Sequence, residues 1–101
     1  MLTESEARVI AAAEVARLRR DMGRWFADDV EFVIIGMEEY PVGWVYYYQS
    51  SKYLKSGRIR DSLAGNAPIL VDRRDGTAVL TGTADDIEHY VREYEREHPL
   101  S

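Results

Sequence analysis

Apolar positions recur along this chain with two different periods. Between residues 7 and 22 the period is helical, with Ala7, Ala11, Val15, Leu18 and Met22 on one stripe. Thr3 and Glu6 precede the stripe as a Thr-x-x-Glu capping box, and Gly23 follows it as a stop. Arg17, Arg19 and Arg20 occupy the last turns, where cations suit the helix dipole. Near the other terminus Ile87, Tyr90, Val91 and Tyr94 repeat the i, i+3, i+4, i+7 pattern. That pattern predicts a second helix starting at Thr83, with Asp85 and Asp86 in its first turn. Pro99 disfavours helix at His98 and ends it by Glu97.

The segments between the helices read as strands. Residues 30–35 are short, β-branched and nearly continuously apolar, and residues 38–42 form the loop that leads on. Pro41 should end pairing near that point. Residues 68–72 and 77–81 flank Arg73-Arg74-Asp75-Gly76, and Asp-Gly is a strong hairpin signal. A loop of two or of four residues leaves the facing unchanged. Ile69, Val71, Ala78 and Leu80 therefore share a face, expected to pack with Leu18, Ile87, Val91 and Tyr94 in one core. Asn66 before Pro68 is expected to brace backbone. Trp25 and Phe26 are expected to plug the junction between the first helix and first strand, and Gly65 to stop a short turn. The expected fold class is α+β: an antiparallel four-stranded sheet with N- and C-terminal helices packed on one face, in a single domain spanning 1–101.

Residues 43–50, Gly-Trp-Val-Tyr-Tyr-Tyr-Gln-Ser, stand apart from this alternation. Trp44, Tyr46 and Tyr48 point one way and Val45 and Tyr47 the other, so both faces are aromatic or apolar. Such a strand is either central in a sheet covered on both sides or part of an exposed aromatic surface. Tyrosine also suits strands without any ligand. With one face under the helices, Trp44, Tyr46 and Tyr48 are the expected accessible set, extended by Tyr40 and by Arg58 from the basic segment 52–60. Tyr, Trp and Arg are the residue types that dominate interface energetics.

Charge and composition narrow the possible chemistry. A net charge of −5 argues against a general nucleic-acid binder, which needs a basic face, and suits a partner whose own site is basic. With no cysteine there is no disulfide framework, thiolate metal site or thiol nucleophile. No segment is apolar and long enough to span a bilayer, and the N-terminus does not read as a secretory signal, which together favour the cytoplasm. His89 and His98 are nine positions apart and do not make a helical zinc pair. Asp85-Asp86 and Glu38-Glu39 are adjacent acids that point apart, and no Gly-x-Ser-x-Gly elbow or phosphate loop is present. No catalytic residue, metal ligand or cofactor is therefore expected.

Certain motifs together resemble a known family. Residues 43–50 followed by Tyr53-Leu54 and Gly57 are similar to the aromatic strand of the YrhB-domain, or immunity protein 35, family. The run from Leu63 to Asp72, with its glycine-asparagine-x-proline element, then Asp75-Gly76, Thr81-Gly82-Thr83, Glu88, Tyr90 and Tyr94, resembles the family's second half. The resemblance implies a small bacterial α+β protein, often encoded beside a toxin, that binds and blocks that cognate protein toxin inside the producing cell. It attaches no catalytic residues. A chaperone-like adaptor that holds apolar segments is the alternative it leaves open, and a small enzyme or ligand carrier is a third. Neither a monomer nor a homodimer is singled out.

Overall fold

The computed structural model describes residues 1–23, 26, 29–63 and 66–99. The expected plug residue Trp25 and the expected stop Gly65 lie outside the described residues. Helix α1 runs Glu4–Asp21 behind the expected capping box, in which the Thr3 side chain accepts from the Glu6 N–H and Glu6 reaches back to the Thr3 N–H. Arg17 pairs with Glu14 and, at 2.8 Å, with Asp21, so part of the arginine cluster is neutralised along its own helix.

Strands β1 (Phe32–Tyr40), β2 (Gly43–Ser50), β3 (Ile69–Asp72) and β4 (Ala78–Leu80) form an antiparallel sheet in sequence order, β1-β2-β3-β4. Between β2 and β3 lie helix α2 (Ser51–Ser56) and a 3-10 turn over Ile59–Asp61. Helix α3 (Ile87–Glu97) closes the chain's order of elements; it starts after Asp86 and not at the expected Thr83, because residues 83–85 bend and do not enter the helix. The four-stranded α+β arrangement is as the sequence predicts. Three further details differ.

The first hairpin is tighter than expected. β1 extends to Tyr40, which pairs with Gly43, leaving only Pro41 and Val42 in the turn. Proline there withholds no N–H from the ladder. Gly43 is obligatory for a different reason: a Cβ would sit 1.9 Å from the Val71 carbonyl oxygen on β3. The second difference is α2, a short helix that the hydrophobic pattern does not announce. Ser50 caps it by accepting from the Tyr53 N–H at 3.0 Å, and Gly57 ends it in the left-handed conformation at φ 67°.

The third difference is the placement of the helices. The sheet is covered on both faces, not one. α1 packs Ala7, Ala11 and Val15 against Trp44, Tyr46, Tyr48, Ile69 and Val71. α3 packs Val91 and Tyr94 against Val42, Val45 and Leu70 on the opposite face. The registers Trp44↔Val71, Val45↔Leu70 and Tyr46↔Ile69 produce this alternation. The physical cause is the aromatic strand itself. Apolar on both faces, β2 costs free energy on whichever face is left wet, so each face acquires a helix. The single core predicted from Ile69 to Tyr94 is therefore two. Leu80 shares its parity with Ile69, their Cα atoms being partners, yet at the end of the short edge strand it stays 46% exposed.

Candidate functional site

The aromatic residues expected to be accessible are not on the surface. Trp44 is 4%, Tyr46 0% and Tyr48 5% exposed, all beneath α1. The Tyr46 hydroxyl donates to Glu4 Oε2 at 2.8 Å, and burial reinforced by that bond raises its pKa. Arg73 lies 4.6 Å over the Trp44 ring and donates to Glu39 at 2.9 Å and to the Tyr40 carbonyl at 2.7 Å. These rings are core, and the expectation of an accessible Trp44-Tyr46-Tyr48 set is corrected by their burial. Tyr40 is half-buried at the turn end of β1, whereas Arg58 is exposed beyond the far end of β2. The structure does not bring Tyr40 and Arg58 together.

A second cluster links α3 to the β3–β4 hairpin. Asp72 is buried, and it accepts from Arg74 Nη2 at 2.6 Å, the Arg74 N–H at 2.9 Å and the Tyr94 hydroxyl at 2.8 Å. The Arg74 guanidinium also donates to the carbonyls of His98 and Pro99, each at 3.0 Å, and the His98 ring stacks 4.1 Å from Tyr94. Arg74 foremost holds the Asp72 carboxyl at about 2. Burial and the Asp72 bond raise Tyr94 to about 12. A fully bonded carboxylate of this kind fastens a helix end. It has no free lone pair directed at a substrate.

One exposed apolar strip lies on the α3 side of the sheet. α3 packs over the turn-proximal half of the first hairpin, where Tyr40, Val42, Val45 and Tyr47 lie. Toward the other end of β1, Val33 is 37% and Ile35 55% exposed. A β-bulge between Ile34 and Gly36 makes Ile35 the extra residue of β1, so it has no partner on β2. The sequence places both residues in a strand but cannot say that this strand is an edge, out of reach of an 11-residue helix about 16 Å long.

Acids cluster on and just before α3, and Asp85 among them shares a groove with Ile35. Residues 85–97 hold six, Asp85, Asp86, Glu88, Glu93, Glu95 and Glu97, against Arg92 and Arg96. Glu38 on β1 accepts from the Tyr47 hydroxyl. Burial, the Glu38 bond and the charge of Glu88 raise the Tyr47 pKa. The basic residues Lys52, Lys55, Arg58 and Arg60 are exposed at the far end of the first hairpin, Lys52 standing 3.6 Å from Asp61. Among the described residues no three His, Asp or Glu side chains converge as a metal site would require, and no helix is long and apolar enough to cross a membrane.

Comparison with known proteins gives a family to this geometry. No solved structure matches the chain. The uncharacterized protein YrhB of Escherichia coli (strain K12) is 33% identical over 67 residues, covering 66% of this chain and 71% of YrhB. The family described as immunity protein 35 matches residues 6–95, from the first turn of α1 into the last turn of α3. With its α+β sheet flanked by both terminal helices, this chain belongs to the immunity protein 35 family.

Proposed function

We propose that this protein is a bacterial immunity protein that neutralises a cognate toxin by stoichiometric binding in the cytoplasm, without catalysis. The observation that carries the reading is the family match, which runs through nearly the whole fold. The surface supports it: exposed Val33 and Ile35 lie on the α3 side, and the segment 85–97, with six acids against two arginines, carries most of the chain's net charge of −5. A complementary field of this sign speeds encounter with a basic partner. Tyr40, near Glu38 and Glu88, belongs to this surface, and Arg58 belongs to the opposite end.

The test is co-expression with candidate toxins encoded near this gene in its host genome, followed by calorimetry of any purified pair. The expected result is growth protection and a one-to-one complex. Ile35→Asp, which disturbs an exposed side chain, should weaken it at least about thirtyfold, the effect of losing roughly 2 kcal/mol at a hot spot. Protection without a complex would overturn the reading. Similar weak binding to many unfolded polypeptides would favour the adaptor alternative.

A further inference from the structure

Between the uncovered half of the sheet and the start of α3 the surface sinks into a groove of about 460 Å3. Ile35, Tyr47, Pro68 and Ile87 are its apolar walls, Gln49 lines it, and Asp85 stands at its edge on the approach to α3. Apolar walls alone do not choose an occupant. The charges do. Tyr47 feels the acids Glu38 and Glu88, the former through its own hydroxyl. Asp85 contributes a third carboxylate, 3.7 Å from His89. A purely apolar side chain seated here would strip water from Asp85, the acid that lines the groove, and return no bond. A second copy of this chain would bring its own net charge of −5 against them.

Resting on the immunity reading, we propose that this groove receives an arginine side chain presented by the toxin. The aliphatic stem lies along Ile35 and Ile87, as long cationic side chains lie along apolar surface. The planar guanidinium stacks on the Tyr47 ring and turns its forked donors toward Asp85 at the groove's edge, while Glu88, whose charge reaches Tyr47, adds to the field that draws it in. Lysine supplies the charge without the fork or the flat face, so the groove prefers arginine.

The test uses the whole chain, labelled with nitrogen-15, and three blocked tripeptides, Leu-X-Leu, in which X is arginine, lysine or citrulline. Arginine should shift the amide signals of Ile35, Tyr47 and Ile87 with a dissociation constant of millimolar order. Lysine should bind more weakly, and citrulline, isosteric but neutral, at least tenfold more weakly. Glu88→Gln combined with Asp85→Asn should weaken the arginine peptide at least threefold while melting temperature stays unchanged. Equal shifts by arginine and citrulline, shifts centred elsewhere, or self-association through the groove would overturn the proposal. Toxin protection that persists in that case leaves the immunity reading standing. Arginine-selective shifts in a protein that fails to protect would overturn the immunity reading alone.

Discussion

Tyr46→Ala separates a buried role for the aromatic strand from a surface one. The Tyr46 ring is fully buried between α1 and the sheet, among Ala7, Ala11, Trp44, Ile69 and Val71. Removing a large aromatic from such a site costs about 3–5 kcal/mol, the transfer free energy plus the cavity left behind. A domain of this size has roughly 5–15 kcal/mol in total, so the variant should be severely destabilised. Tyr46→Phe keeps the ring and deletes only the bond to Glu4, which is 2.8 Å long and partly open to solvent. That change should cost about 1.5 kcal/mol, the low end for bonds to charged groups. At 1 kcal/mol for every 4–8 °C, roughly, the phenylalanine variant should melt about 6–12 °C lower. The assay is urea unfolding followed by circular dichroism, with an unchanged slope confirming that stability and not compactness moved. If Tyr46→Ala cost less than about 1 kcal/mol, the ring would not be core and the two-faced packing described above would be refuted.

Further substitutions test the remaining elements. Leu70→Ala, which empties a fully buried site on the α3 face, should cost about 2–5 kcal/mol, whereas Leu80→Ala at a half-exposed edge should cost under about 1 kcal/mol; equal losses in denaturant would show that the facing is wrong. Gly43→Ala should prevent the β2–β3 ladder from closing, read as lost amide protection along Ile69–Asp72, because its Cβ falls on the Val71 carbonyl. Asp72 is lowered to about 2, so its stabilisation is present above the unfolded value near 4 and lost as pH falls through the window from about 4 to 2. That loss should reach about 2 kcal/mol and vanish in Asp72→Asn. Tyr94 runs the other way. Its pKa is raised to about 12, so its contribution is complete below pH ~10 and fades as pH climbs from there toward 12; Tyr94→Phe should flatten that alkaline limb of the stability curve. Asn66→Ala, which removes the 2.7 Å bond from its amide to the Tyr48 carbonyl, should lower the melting temperature.

Local chemistry wrote much of this fold into the sequence. The capping box at Thr3, the Ala7-Ala11-Val15 stripe and the Asp75-Gly76 turn, with Gly76 at φ 78°, each depend on residues within a few positions of one another. So does the end of α3 before Pro99. Asn66 does brace backbone as expected, yet its partner, the Tyr48 carbonyl, lies on β2 and is brought to it only by the tertiary fold. The family, too, was legible, because its motifs are runs of neighbouring residues. What the sequence could not decide was which face of the sheet each helix would cover. Trp44, Tyr46 and Tyr48 alternate with Val45 and Tyr47 whether α3 joins α1 or crosses to the other side. Parity states that two faces exist and does not say which is wet. That choice came from the long-range registers of β2 with β3, and from α1 and α3 burying opposite sides of the same strand. It moved the aromatic rings into the core, and it left exposed Val33 and Ile35, residues that look like core in one dimension. Exposure is a property of what lies across space, and an edge strand beyond the reach of a short helix has nothing there to announce it in its own sequence.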